Sequence, residues 1–323
     1  MVVAPDLFVE VVAVLMSALG QSRHDEPVNA GGVIAPSVLA RSTNAELKAR
    51  VYDKVVSGEC LITLAWQGEA GSLTLDDVQL SASESNRQAT LNGSTRFVPI
   101  TAADAFLVLT RRPDGPAVYW VDRSTPGLEI TNEPLADGTA SGWLRFNKVV
   151  IPDAQIVVGP TGAVDAVVAG VDLGLIAQSA ELVGNMERAL DMTLDYMRTR
   201  KQFGQAIGSF QGLQHRAVDL WMHKELARHA VTSAVRTAAD PSTTASLRGA
   251  AASSAKNRAA ESALSIAKQT IQLHGAIGTT DEYDLGLYVN RIVTLVPWLG
   301  NAAAHRIRYG ALAPARERVS APA

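Results

Sequence analysis

Apolar residues recur at helical intervals near the start of the chain. Leu7, Phe8, Val11, Val12, Leu15 and Leu19 fall three or four apart and line one face of a helix. This run is too short to cross a bilayer, and Asp6 and Glu10 stand where a signal peptide would carry positive charge. A packing helix is therefore expected, in a cytoplasmic chain with no membrane contact. From Gln21 to Pro36 the sequence turns polar and glycine-rich, which predicts a loop, and a short helix follows around Asn44 to Ser57.

From Gly58 to Val158 the pattern changes to short β-prone runs broken by turn residues. Asn92-Gly93 lies between Gln88–Leu91 and Thr95–Val98 and predicts a tight hairpin. Ala105–Thr110 and Ala117–Val121 flank Arg112-Pro113-Asp114-Gly115-Pro116 and predict a second hairpin with a longer loop, and Leu144–Ile151 reads as a further strand ending at Pro152-Asp153. The simplest reading is an antiparallel β domain.

After Gly162 the helical period returns and stays. Leu173, Ile176, Ala177, Ala180, Val183, Gly184, Leu190, Leu194 and Met197 keep one stripe through a long helix. A second helix is expected from Gln211 to Ala239, a break at Asp240-Pro241-Ser242-Thr243-Thr244, a third from Ala245 to His274 and a fourth from Asp284 to Tyr309, which together predict an up-and-down bundle. The fold class is α+β. Residues 1–57 form a short N-terminal helical domain, 58–160 the β domain, 161–312 a C-terminal four-helix bundle, and 313–323 a disordered tail.

Composition adds limits rather than leads. With 323 residues, 47% of them apolar, the chain can bury a large core. A net charge of −3 with dispersed basic residues offers nothing to nucleic acid, and no His, Cys and carboxylate grouping has metal-ligand spacing. The lone cysteine, Cys60, stands at the head of Cys60-Leu61-Ile62-Thr63-Leu64 and reads as inert core.

Two segments carry candidate chemistry. Arg198–His215 (Arg-Thr-Arg-Lys-Gln-Phe-Gly-Gln-Ala-Ile-Gly-Ser-Phe-Gln-Gly-Leu-Gln-His) joins the first two bundle helices, and Gln272–Gly278 (Gln-Leu-His-Gly-Ala-Ile-Gly) joins the last two. Arg200 offers a planar guanidinium suited to a pyrophosphate. Gln202, Gln211 and Gln272 offer neutral donors and acceptors, and Phe203 an apolar face. Gly275 and Gly278 let backbone amides approach a ligand. The bland alternative makes Phe203 and Phe210 core residues and Arg200 a solvated helix-end charge.

Together these segments resemble the Arg-x-Gln-Phe-Gly-x-x-Ile-x-x-Phe-Gln-x-x-Gln-His and Gln-x-x-Gly-Gly-x-Gly stretches of the acyl-CoA dehydrogenases. Leu64–Ser72 and Leu91–Val98 resemble that family's β-domain segments more weakly, so the similarity runs from about residue 58 to 309. It implies FAD, held by Arg200, Gln202, Phe203, Phe210, Gln211, Gln272, Gly275 and Ala276 for the flavin of an adjacent protomer. It also implies an acyl-CoA substrate and an electron-transfer flavoprotein or similar acceptor.

The resemblance also exposes losses. The usual catalytic glutamate falls at Leu299, and the alternative base position of some relatives falls at Gly174, with Asp172 the nearest carboxylate. Asp172 has a second reading, as an N-cap or dipole partner at a helix start. Glu181 and Glu187 carry no motif. Trp66-Gln67-Gly68 and Val98-Pro99-Ile100 replace flavin-contacting segments that bear hydroxyls. The chain thus lacks its own base and part of its own cradle yet keeps loops that serve a neighbour. That combination points to a short subunit assembling with a full-length acyl-CoA dehydrogenase into a heterotetramer, of the sort that acts on steroid-derived CoA thioesters. A homomeric dehydrogenase using Asp172, and a non-catalytic scaffold, are the competing readings.

Overall fold

A computed structural model describes residues 5–23 and 27–313. The expected tail falls, beyond Ala313, outside the described residues. Helix α1 spans Pro5–Ser22, as its periodicity predicts. The face it buries is rotated from the expected one: Val9, Met16 and Gly20 turn inward while Val11 and Leu15 are exposed. Two glycines set this rotation. A Cβ on Gly20 would sit 2.2 Å from the Glu181 carbonyl oxygen, and one on Gly184 would sit 2.0 Å from that of Ser17. The helix therefore meets its neighbour backbone to backbone, and only that orientation allows it.

The expected loop before Pro36 is instead helical. A π-helical segment, Val28–Ile34, runs directly into α2 (Ala35–Ala40), and both bury apolar side chains. The short third helix, α3 (Ala45–Ser57), is capped by Asn44, whose side chain accepts from Leu47 N, and closed by Gly58 at φ 81°.

Strands β1 (Ile62–Ala65), β2 (Ser81–Ser85), β3 (Gln88–Val98), β4 (Ala105–Thr110), β5 (Ala117–Asp122), β6 (Leu128–Pro134), β7 (Ala140–Pro152) and β8 (Ile156–Val158) build two four-stranded sheets, β1-β4-β5-β8 and β2-β3-β7-β6. Pairing is antiparallel apart from β1 with β4, which is parallel. The β4–β5 hairpin forms as predicted. The hairpin expected at Asn92-Gly93 does not. That pair lies inside the long strand β3 at a register shift, where Gly93 passes close to the backbone of Gln79 and Leu80. The turn comes earlier, at Asn86 (φ 52°) and Arg87 (φ 61°), between β2 and β3. Cys60 sits half-buried in the turn before β1, not within a strand.

Strand β4 is buried on both faces and joins two cores. Phe106 and Val108 point between the sheets onto Tyr119, Leu144 and Phe146, whereas Leu107 and Leu109 point toward the helices. The helical layer comprises α4 (Ala163–Thr199), a β9–β10 hairpin (Lys201–Gln202 and Gln205–Ala206), α5 (Gln211–Ala239), α6 (Ala245–His274), α7 (Leu285–Leu295) and α8 (Ala302–Leu312). Among the described residues α4 alone is long and apolar enough to span a bilayer, and 83% of that window is buried inside the protein, so it is the core helix of the bundle.

The predicted fourth helix is broken between α7 and α8. Pro297 removes a backbone donor, and Leu299 (φ 56°) and Gly300 (φ 92°) leave helical space. Buried groups from distant elements hold the break. The Leu295 carbonyl accepts from Gln178 Nε2 and Lys256 Nζ, both at 2.8 Å, and His305 Nε2 donates to the Leu299 carbonyl at 2.8 Å. Asn301 then caps α8 by accepting from Ala304 N.

Candidate functional site

The two motif-bearing loops emerge at one end of the bundle. Tyr196, near the end of α4, stacks on His274 at the end of α6 with ring centroids 4.5 Å apart, and Tyr283 packs 5.0 Å from His274. His274 Nδ1 is 2.8 Å from the Thr270 carbonyl, and burial holds its pKa below the ordinary histidine value. This aromatic knot fixes the β9–β10 hairpin and the Gly275 turn beside each other. The sequence did not single out these tyrosines, because their shared contact arises only when the helix ends meet.

The hairpin turns on two residues, Phe203 (φ 54°) and Gly204 (φ 84°). Positive φ at both central positions suits the twist of a tight hairpin, but it is costly for phenylalanine. Phe203 is nevertheless 89% exposed, and its contact on the chain is an edge-on approach to the half-buried Phe210, with centroids 6.1 Å apart. Arg200, Gln202, Gln211, Gln272, Gly275 and Ala276 are all exposed. Among the described residues the side chains of Arg200, Gln202, Gln211 and Gln272 make no hydrogen bond or ion pair. At Gly275 (φ 65°) a Cβ would meet nothing within 4 Å. A guanidinium, three free carboxamides, an outward aromatic ring and an open glycine backbone therefore share one rim. This donor set fits a pyrophosphate-bearing cofactor.

Elsewhere a cavity of about 660 Å³ opens between the π-helical segment, the β domain and the α7–α8 break. Its wall includes Gln67, Ser72, Phe97, Pro99, Trp298 and Leu299. Leu299, 2% exposed, occupies the position where the resemblance places a catalytic glutamate, and it cannot take a proton. The Gln67 amide is committed inward, donating to the Gly71 carbonyl at 3.0 Å, while Trp66 and Val98 are core residues.

The other base position is filled as well. A side chain at Gly174 would meet Ile34 at 2.5 Å, and the Gly174 carbonyl accepts from Asn29 Nδ2. Asp172 is not a helix cap, since α4 begins at Ala163. It is buried against α6 and α8, where Arg308 Nη2 donates to Oδ1 at 2.6 Å, and it does not line the cavity. Burial outweighs Arg308 and raises its pKa.

Among the described residues the one carboxylate on the cavity wall is Glu181. Arg291 Nε and Nη2 donate to its Oε1 at 2.8 and 2.6 Å, and Arg291 Nη1 donates to Asp137 Oδ2 at 2.8 Å. Burial pushes the Glu181 carboxyl up despite Arg291, whereas hydrogen bonds from Thr139 and Arg291 overcome burial and hold Asp137 down. The available sequence signal for Glu181 was a charge on the apolar stripe of α4, between Ala177 and Gly184.

Residues 165–311 match the model of the acyl-CoA dehydrogenase C-terminal domain. Over 97% of its length the chain is 30% identical to the acyl-CoA dehydrogenase FadE27 of Mycobacterium tuberculosis, covering 82% of that protein. It is 41% identical to the acyl-CoA dehydrogenase IpdE2 of the same organism, over 81% of this chain and 68% of IpdE2. The chain belongs to the acyl-CoA dehydrogenase family. Family members are FAD-dependent oxidoreductases, and the rim around Arg200 has the donors such a cofactor needs. Among solved structures, the ChsE4–ChsE5 complex of Mycobacterium tuberculosis superposes with a TM-score of 0.84 at 29% identity, over 98% of this chain and 82% of that one. A variant of the Tcur3481–Tcur3483 steroid ACAD gives 0.81 at 27% identity, over 94% and 80%.

Proposed function

We propose that this chain is one subunit of a heteromeric acyl-CoA dehydrogenase. It completes the FAD site of a full-length partner, and the partner supplies the catalytic base for α,β-desaturation of a bulky, steroid-derived CoA thioester. The observation that carries the reading is Phe203, a large aromatic side chain held outward on a strained turn beside free Arg200 and Gln272. Strain of this kind persists when the surrounding structure or a bound partner makes use of it. The empty base positions at Leu299 and Gly174 support the division of labour. The likeness to a complex of two chains and to a steroid dehydrogenase supports the assembly and the substrate class. Val218, Trp221, Met222 and Leu226 leave a half-exposed apolar stripe along α5, the helix that leads away from the rim, and this suits burial in an oligomer.

In this reading Arg200 would hold the cofactor pyrophosphate, and Gln202, Gln211 and Gln272 would hydrogen-bond its polar atoms. Phe203 and Phe210 would shield it from water, and the Gly275-Ala276 backbone would offer it amide donors. FAD, when bound, supplies the hydride acceptor for the β-carbon, and an electron-transfer flavoprotein or similar acceptor reoxidises the enzyme. The test is to co-express the chain with full-length acyl-CoA dehydrogenases of the same organism and compare Arg200→Ala and Gln272→Ala versions of the complex that forms with the parent. Loss of flavin from complexes that still assemble supports the reading. Full flavin content in both variants would leave only a scaffold.

A further inference from the structure

The cavity has a second property that the cofactor loops do not use. Among the described residues on its wall, Glu181 and Arg291 alone are charged. Asp137, behind Arg291, is sealed: its side chain has no exposure, and Oδ1 is held by Thr139 N at 3.1 Å and Thr139 Oγ1 at 2.7 Å. Glu181 is only half satisfied. Both Arg291 contacts fall on Oε1, while Oε2 receives no donor from the described residues and is not closed off among protein atoms. An ionised carboxylate has about four acceptor positions, so Oε2 can take a donor from whatever occupies the cavity.

The remaining walls define the rest of that occupant. Leu73, Phe97, Leu135, Trp298 and Leu299 present apolar surface, and the volume of about 660 Å³ lies in the range that encloses a small organic molecule. Arg291 is shared between Glu181 and Asp137, and Lys256 adds a second positive charge acting on Glu181, so the wall calls for a neutral donor rather than a further cation. We propose that this cavity is a binding site for a neutral, apolar, hydroxyl-bearing molecule, whose O–H donates to Glu181 Oε2 while its hydrocarbon body packs on Phe97, Trp298 and Leu299. No bond is made or broken there. The site is built from this chain's own residues and shares none with the rim around Arg200, so either proposal can fail without the other.

Titrating the purified full chain with 2-naphthol and with 2-methoxynaphthalene, followed by their fluorescence, tests this. The two probes share a ring system, and only the first has a donor. Wild type is expected to prefer 2-naphthol by about tenfold or more, the scale of a hydrogen bond to a charged acceptor. Glu181→Gln turns its oxygen to Arg291 and its amide toward the cavity, and should reduce the preference to about twofold or less. Ala70→Trp, at an exposed position on the cavity wall, leaves Glu181 intact and should abolish binding of both probes. If Glu181→Gln does not fold, the wild-type preference and Ala70→Trp decide. Equal affinity of the two probes for wild type, a preference that survives in Glu181→Gln, or unchanged binding in Ala70→Trp would each overturn the proposal.

Discussion

Lys256 is a fully buried lysine, and replacing it with methionine should flatten the pH dependence of stability above neutrality. Its ammonium donates to the Leu295 carbonyl at 2.8 Å and the Val296 carbonyl at 3.3 Å, and so pins the end of α7 where the chain turns into the cavity wall. Burial, only partly offset by Glu181, lowers its pKa from 10.5 to about 7. The unfolded lysine keeps its proton to 10.5, so between those values the unfolded chain binds more protons. The cost of burying the charge is therefore fully present below about pH 7 and disappears as pH rises toward 10.5, which makes stability rise with pH. At 1.36 kcal/mol per pH unit, the span corresponds to roughly 5 kcal/mol as an upper figure.

Glu181, a carboxyl that burial pushes up and Lys256 helps hold down, is the group coupled to this window; the others around it are not. His305 on α8 is neutral there, with a pKa lowered to about 4, and Arg291 and Asp137, beyond Glu181 of α4, stay ionised. Lys256→Met leaves Gln178 on the Leu295 carbonyl and removes a donor from Val296, a pH-independent loss of about 1 kcal/mol. Urea unfolding of both proteins from pH 6.5 to 9.5 is the assay. The wild-type curve should climb relative to the variant across the whole range, and parallel curves would refute the reasoning.

Three further outcomes are expected. Phe203→Gly relieves the positive φ and should stabilise the isolated chain by roughly 0.5–1 kcal/mol in urea unfolding, yet the complex it forms should retain less flavin. Gly184→Ala forces a Cβ against the Ser17 carbonyl and should cost about 1–3 kcal/mol in urea unfolding, whereas Gly286→Ala, where a Cβ meets nothing, should be neutral or stabilising. Because the unfolded His305 takes its proton near 6.5 and the folded one near 4, stability should fall as pH drops between those values by up to about 3 kcal/mol, and His305→Gln should remove that slope in acid titrations.

What was legible in the sequence was local. The ends of α5 and α6 follow from Asp240-Pro241, from the Thr244 cap that accepts from Leu247 N, and from the positive φ of Gly275. The two loops at the helix ends stood out through their resemblance to the family's stretches, and their polar side chains are exposed in the structure. The break after α7 was not, although Pro297 and Gly300 were visible. Apolar periodicity runs across it, and what fixes it is Gln178 and Lys256 arriving from other helices. The α1 face was misassigned because the close approach of Gly20 and Gly184 outweighs the apolar count, and Asn92-Gly93 looked like a turn because a bulge and a hairpin ask for the same residues. Glu181 was set aside as carrying no motif because its partner Arg291 lies 110 positions away.

The central claim, that this chain completes a flavin site belonging to another subunit, is tested most directly by visible absorbance and native mass of the chain purified alone and after co-expression with full-length acyl-CoA dehydrogenases of the same organism. The account predicts a colourless chain alone and a yellow mixed tetramer on co-expression. A yellow, catalytically active homomer would contradict it.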